Sequence, residues 1–356
     1  MLTKKVSFPC LIEFDDTQQK PNSSLFRDLV VAPAIKGTKN IFNQAKKTPS
    51  VKRIVMTSTM WACMSDAQDV VDSEEAILDE TMWNSTASLH YQPYAYGKTE
   101  AEKDAWIKLE KQDHWDVVTI LPGLILGPGT KCHRDNYAFQ LMTNFGNGTY
   151  KGGVPAISTA VVDVRDVSRA HIEAAFRPRA DGRYLCVRHQ TDHFEMTQIL
   201  RNQYPKYEFP KSATSKQYLA MFGSLFSRDM NRKFITRNVG MRFQLDSSRS
   251  EEELGIVYRS LHQTLIDMME QIIEEGLLDK EKMAEEARLK KEEEDRIKQE
   301  KKEAKEKRKE ERLVREREER DKKKAERAAE KERKRAERQG QRQGGSGAAQ
   351  PEASVV

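Results

Sequence analysis

The sequence predicts an α/β fold: a parallel sheet covered by helices, a small helical lobe after it, and then one long charged helix. Three observations predict it. Short apolar, β-branched runs (Val51–Thr57, Asp116–Leu121, Val161–Val164 and Arg183–Val187) alternate with stretches of helical periodicity, the pattern of parallel strands joined by crossover helices. The remainder up to Leu278 is mostly helical in pattern. From Asp279 onward aromatic residues vanish and charged residues dominate.

In chain order, Lys5–Phe8 is a short strand closed by Pro9. Val31, Ala34, Ile35, Thr38, Ile41, Phe42 and Ala45 recur at helical spacing and predict a helix over about 27–47, kinked at Pro33. Val51–Thr57 is a buried-strand pattern ending in the hydroxyl cluster Thr57-Ser58-Thr59, and Met60–Tyr91 is long and irregular. Tyr94–Lys111 reads as a helix, and Asp116–Leu121 as a strand stopped by Pro122-Gly123. Asn136–Phe145 is a short helix closed by Gly146. Val161–Val164 is a strand, and Asp166 is the expected cap of a helix over Val167–Phe176. Arg183–Val187 is a further strand. Leu261, Leu265, Met268, Met269, Ile272 and Ile273 mark a final amphipathic helix.

The chain of 356 residues carries a formal net charge of +5. Residues 279–356 hold about 27 basic and about 22 acidic side chains, so residues 1–278 are close to neutral. The basic excess therefore belongs to the tail and says nothing about an active site. Cys10, Cys63, Cys132 and Cys186 are widely spaced and form no metal or disulfide framework. No apolar run approaches the ~18 residues of a membrane span. The expectation is a cytoplasmic protein.

Ligands of parallel α/β sheets bind at the carboxyl ends of the strands, and the hydroxyl cluster and the Pro122-Gly123 turn sit at two such ends. Tyr94 and Lys98 lie four apart on one helix face. A free phenol, with a pKa of about 10, exchanges protons poorly at neutral pH; a nearby ammonium favours its phenolate. Thr59 could hold a substrate oxygen beside the phenol. The three groups suit carbonyl reduction, with Tyr94 protonating the oxygen as hydride reaches the carbon. A lone Tyr-x-x-x-Lys is weak, since an exposed helix start with a snorkelling lysine has the same pattern. For Thr59 the plain alternative is a strand-end hydroxyl bonded to its own backbone.

Four further stretches surround these residues: Ala34-Ile-Lys-Gly-Thr-Lys-Asn-Ile41, Val51-Lys-Arg-Ile-Val-Met-Thr-Ser58, Tyr94-Ala-Tyr-Gly-Lys-Thr-Glu-Ala-Glu102 and Ile120-Leu-Pro-Gly-Leu-Ile-Leu-Gly-Pro128. Val162-Asp-Val-Arg-Asp-Val-Ser-Arg-Ala-His171, Gly182-Arg-Tyr-Leu185 and Leu254-Gly-Ile256 follow in order. Over roughly residues 6–278 the chain resembles the extended short-chain dehydrogenases/reductases, nearest the dihydroflavonol and cinnamoyl-CoA reductases and the yeast-type aldehyde/ketone reductases. The resemblance implies a Rossmann-like sheet and NADP(H) as cofactor. It implies catalytic roles for Thr59, Tyr94 and Lys98. Lys98 would also bind the nicotinamide ribose, and Pro122, Gly123, Leu124 and Ile125 would line the nicotinamide pocket through backbone atoms.

The family opens with a strand, a Gly-x-x-Gly-x-x-Gly turn and a helix that cradle the pyrophosphate. Here Val6-Ser-Phe-Pro-Cys10 resembles the family's fourth strand, so the expectation is an N-terminally incomplete sheet with about 60–80 family residues ahead of Met1. Two readings stand: a piece of a full reductase, or a short product that binds cofactor poorly. Met64 occupies the position where dihydroflavonol reductases carry Asn, and Gln92-Pro93 the position of the Asn-Trp of cinnamoyl-CoA reductases. Neither specific substrate is indicated.

Other signals carry less. The glycines of Gly123–Lys131 are wrongly spaced for a phosphate-binding loop. His189 and His193 lack a third metal ligand nearby. His171 reads as structural, and Leu219, Met221, Phe222, Leu225 and Phe226 as core or pocket border. Three units follow: a dehydrogenase-like domain at 1–278, a charged, solvent-exposed helix at 279–340 and a disordered tail at 341–356. Pairs such as Glu330–Lys334 support that helix, while Leu289, Ile297 and Leu313 make no coiled-coil seam. It is a spacer, or an anchor for an acidic partner, nucleic acid or an anionic membrane. The leading function is NADP(H)-dependent reduction of a small aldehyde or ketone. The alternatives are a non-enzymatic interaction protein on a remnant dehydrogenase fold, and an epimerase, dehydratase or steroid dehydrogenase using the same Tyr94 and Lys98.

Overall fold

The computed structural model describes residues 4–8, 27–133, 135–226 and 230–343. The expected disordered tail lies outside them, apart from residues 341–343. The chain divides into two compact units, Met1–Lys282 and Met283–Val356.

The strands of the first unit are β1 (Lys4–Phe8), β2 (Val51–Thr57), β3 (Ile77–Leu78), β4 (Asp116–Pro122), β5 (Leu124–Leu126), β6 (Ser158–Asp163), β7 (Gly182–Cys186), β8 (His189–Asp192) and β9 (Gln244–Leu245). Its helices are α1 (Ala32–Lys46), α2 (Ala67–Val71), α3 (Pro93–Leu109), α4 (Tyr137–Gly146), α5 (Val164–Phe176), α6 (His193–Gln203), α7 (Lys216–Phe226), α8 (Arg232–Asn238), α9 (Ser248–Leu254) and α10 (Leu261–Glu274).

The main sheet is parallel in the order β1-β2-β4-β7. Its central strands are apolar on both faces because both are covered, and alternate residues serve opposite layers. Ile54, Met56 and Val117 pack with Ala34, Phe42 and Ala45 of α1 and Ala101 and Ala105 of α3. Val55, Val118 and Ile120 pack with Val167, Ala170 and Ala174 of α5. The predicted helix over 27–47 is two pieces: a wide π-turn at Arg27–Val31, then α1 with Pro33 in its first turn. Proline fits there because its missing N–H would have had no partner.

β4 runs one residue past its predicted end, and the chain then crosses at Gly123 into a second sheet of order β5-β6-β8. A Cβ on Gly123 would lie 2.2 Å from the Ala160 carbonyl oxygen and 2.7 Å from Val187 Cγ1. Only a residue without a side chain lets the two sheets meet so closely. Phe139, Met142 and Phe145 of α4, Met196 and Leu200 of α6 and Leu265, Met269 and Ile272 of α10 form the core of the helical lobe.

The cap of α5 differs from expectation. The helix starts three residues earlier, and Asp163, not Asp166, accepts from the Arg165 backbone N–H at 2.8 Å. Asp166, in the first turn, binds the Arg259 backbone N–H at 2.8 Å and its guanidinium. Gly146 is the last residue of α4, and Asn136 caps its start. The irregular 60–91 stretch contains α2 and β3, and β3 pairs with β9.

The last helix, α11 (Lys280–Gln343), belongs to the second unit from Met283 onward and is 64 residues long, about 96 Å at 1.5 Å per residue. Glu330 and Lys334 pair at 2.7 Å as expected, and Leu289 and Ile297 are exposed. Among the described residues no helix is long and apolar enough to cross a membrane.

Gly123→Ala should destabilise the chain by about 3 kcal/mol, the upper range for forced overpacking, measured as a lowered urea midpoint at unchanged m value. An unchanged midpoint would place the sheet crossing elsewhere.

Candidate active site

The carboxyl ends of β2 and β4, neighbours in the main sheet, bring several of the predicted residues together. β2 ends at Thr57, and Ser58 continues the contact through its backbone N–H to the Ile120 carbonyl at 2.8 Å. Thr59 is extended and buried; its hydroxyl accepts from the Trp61 backbone N–H at 3.3 Å and caps the short turn Met60–Ala62. The same hydroxyl faces the Pro122 carbonyl at 3.5 Å, a separation so long that little is lost by turning its proton to another acceptor. Thr59 and Pro122 thus share one strand-end mouth. Gly123, Leu124 and Ile125 follow directly at the sheet crossing, all half-buried.

The helix bearing Tyr94 and Lys98 enters through a sharp turn. Gln92 adopts a left-handed conformation (φ 54°, ψ 54°) and delivers Pro93 as the first residue of α3. Tyr94 is half-buried in that first turn. Lys98, one turn further, is 1% exposed, and its ammonium donates to the Thr57 carbonyl at 3.0 Å. A charged amine so deeply placed requires such partners. Between them, Gly97 lets α3 approach the Arg27–Val31 turn: a Cβ there would stand 3.1 Å from Val31 Cα.

Below this mouth lies an ion pair that sequence reasoning did not find. Glu102, another turn along α3, is fully buried. It accepts from Ser58 Oγ at 2.5 Å, Thr119 Oγ1 at 3.1 Å and Arg183 Nε at 2.8 Å. Arg183 of β7 also donates to the carbonyls of Glu80 and Met82 at 2.5 and 2.7 Å, and its guanidinium stacks 3.8 Å from the Trp83 ring centroid. Nearby Cys63 is pushed up to about 12 by burial, against the opposing pull of Arg183, so it stays a thiol. The one available signal was position: Glu102 lies four residues after Lys98 on the same helix face.

His171 of α5 is a second link. Its Nδ1 faces the Val167 carbonyl at 2.8 Å, so Nδ1 carries the proton and Nε2 accepts from Thr57 Oγ1 at 2.7 Å. Burial pushes its pKa below the ordinary value, with the Val167 carbonyl opposing. The residue read as structural therefore braces the strand end whose carbonyl holds Lys98.

Tyr91, three residues before Tyr94, is committed elsewhere. Its hydroxyl donates to Asp66 Oδ1 at 2.7 Å, and burial followed by that bond raises its pKa strongly. Asp66 is buried and also accepts from Asn238 Nδ2 at 2.5 Å and Arg237 Nε at 2.9 Å, which ties the post-β2 loop to α8. Met64 is buried with Met60, Val70 and Leu78. His193, pushed down to about 4 by burial, packs edge-on to Phe145, and His189 bonds the Arg259 carbonyl. No cluster of three metal-ligating side chains occurs among the described residues.

The family model of the 3-beta hydroxysteroid dehydrogenase/isomerase family matches residues 19–191. A cinnamoyl-CoA reductase of Medicago truncatula is 34% identical over 197 residues, covering 54% of this chain and 58% of that protein. Tetraketide alpha-pyrone reductase 1 of Arabidopsis thaliana is 29% identical over 266 residues, covering 73% and 71%. The chain thus aligns with little more than half of the first of these curated relatives. Among solved structures, the yeast methylglyoxal/isovaleraldehyde reductase complexed with NADPH has a TM-score of 0.56 at 22% identity, covering 76% of this chain and 75% of that one. Vestitone reductase from alfalfa has a TM-score of 0.52 at 22% identity, covering 70% and 74%. These structural likenesses speak to the fold. Over residues 19–191 the chain is similar to the 3-beta hydroxysteroid dehydrogenase/isomerase family, and its fold is similar to those of the two reductases.

In proton-detected ¹⁵N spectra His171 should appear as the Nδ1–H tautomer at pH 7 and titrate below the unperturbed value of about 6.5. Because its folded pKa is lowered, its contribution to stability is present above the unfolded pKa and lost as pH falls towards the folded one. A midpoint above the unperturbed value would contradict the assigned bonds.

Proposed function

We propose that the chain is the catalytic part of an NADP(H)-dependent reductase that converts a small aldehyde or ketone to an alcohol. Two contacts at the carboxyl ends of β2 and β4 carry the reading: Thr59 faces the Pro122 carbonyl, and the Lys98 amine is held on the Thr57 carbonyl, with Tyr94 one helical turn ahead of Lys98. The related reductases named above support the same chemistry.

The residues at this mouth fit the nicotinamide end of the cofactor. The Gly123 crossing presents backbone with no side chain of its own in the way, and the Lys98 amine, held on the Thr57 carbonyl, would donate to a ribose hydroxyl beside the strand ends. The first glycine of this sequence is Gly37, in α1. When bound, the cofactor supplies hydride to the carbonyl carbon. The chain's own part is proton transfer and orientation. Thr59 Oγ1 turns its proton from the distant Pro122 carbonyl to the substrate oxygen. Tyr94 donates its phenolic proton to that oxygen as charge develops on it. The Lys98 ammonium, braced by Thr57, stabilises the phenolate left behind. Tyr91 cannot substitute, since its proton is engaged by Asp66.

Substrate identity stays at the level of a small carbonyl compound, because Met64 and Gln92-Pro93 differ from the residues of the specific reductases. The three buried thiols Cys63, Cys132 and Cys186 accord with a reducing cytoplasm.

Titration of the purified chain with NADPH, followed by aldehyde-dependent loss of its absorbance, tests the reading. Tyr94→Phe should lower kcat by about 10²–10⁴-fold with cofactor binding kept. Full activity in Tyr94→Phe, or no binding at millimolar NADPH, would overturn it for this chain.

A further inference from the structure

The charge of α11 is graded along its length. In residues 280–300 acidic and basic side chains nearly cancel, whereas in 321–343 basic residues outnumber acidic ones about two to one. The arrangement around the helix matters more than the count. At about 100° per residue, Arg320, Lys323, Lys324, Arg327, Lys331 and Lys334 fall within one sector about 100° wide. All six are exposed. They run for about 21 Å along the helix at 1.5 Å per residue. Exposed Glu319 and Glu326 stand about 40° and about 60° beyond the sector's edge, and exposed Glu330 about 20° beyond it. Only at one end does an acid reach in: Glu330 pairs with Lys334 at 2.7 Å, both strongly exposed, and such pairs are weak.

A helix stabilised merely by i,i+4 pairs would mix both signs around its circumference, as the earlier pairs Arg288–Glu292 and Arg296–Glu300 do. Segregation of six cations onto one straight, exposed face makes a surface for an extended anion. We propose that this stripe is a reversible docking face for the headgroup layer of an anionic membrane. A flat layer meets all six charges at once while the acids point sideways or away. The convex surface of a nucleic-acid duplex would meet a straight 21 Å line at only some of its phosphates, and the sector has no aromatic side chain on which bases could stack. The sector also contains no apolar residue, so the helix rests on the surface and does not insert. Clusters of four to eight basic residues on one helix face bind anionic lipid in this way, each gaining about fivefold in partition near the surface. Attachment of this kind works through charge alone.

The test is co-sedimentation of the full chain with sucrose-loaded vesicles of phosphatidylcholine alone or with 30% phosphatidylserine. Binding is expected only to the anionic vesicles, falling at least tenfold between 50 and 500 mM NaCl as screening rises. Neutralising the stripe (R320Q, K324Q, R327Q, K331Q, K334Q) should weaken it at least tenfold. Neutralising five cations of the earlier half (R288Q, R296Q, K298Q, K305Q, K307Q) changes net charge equally and should weaken it less than threefold. Glutamine keeps helix propensity, and circular dichroism checks that both variants stay helical. Equal losses in the two variants, binding to neutral vesicles, or retention by a DNA or RNA duplex without retention by anionic vesicles would each overturn the proposal.

Discussion

The buried pair of Glu102 and Arg183 is the interaction on which the arrangement of the first unit depends. Removing two charges from water is costly, and the pair is tolerated only because every direction around it is used. The carboxylate also accepts from Ser58 and Thr119, and the guanidinium also donates to the Glu80 and Met82 carbonyls and stacks on Trp83. These bonds join α3, β2, β4, β7 and the loop between β3 and α3. The face of α3 that carries Glu102 also carries Lys98 and Tyr94, so fixing one turn of the helix over the sheet fixes the others over the strand ends.

The mouth above this pair is held from the other side as well. His171 reaches from α5 to Thr57, and Thr57 offers its carbonyl to Lys98. Two helices on opposite faces of the sheet therefore set the position of one amine. That rigidity suits the proposed proton transfer over hydrogen-bond distances, where small displacements are costly. The loop after β2 is held differently: it is tied to α8 through Asp66, Arg237 and Asn238.

Much of this was legible in the sequence, and the exceptions have physical reasons. Val51–Thr57 and Asp116–Pro122 are strands nearly to the residue because apolar runs of that length, buried on both faces, admit few alternatives. The sheet crossing was not legible, since Pro122-Gly123 looks like a simple stop and Leu124–Leu126 is too short to announce a second sheet. Asp163 and Asp166 are equally good caps by residue type, and only the start of the helix decides between them. Thr59, Tyr94, Lys98 and Pro122 could be named from spacing and resemblance because they sit in local motifs. Arg183 and Glu102 lie 81 positions apart, and nothing local marks either as a partner of the other.

The account rests on the pair holding α3 in place as a coupled unit. A double-mutant cycle with Glu102→Leu, Arg183→Met and the combination, read by denaturant unfolding, tests this most directly. Each single change should cost about 3–5 kcal/mol, by leaving an unpaired buried charge, and the combined change should cost less than either alone. Additive losses, or single changes within about 0.5 kcal/mol of the parent, would show that the two residues do not act together and would contradict it.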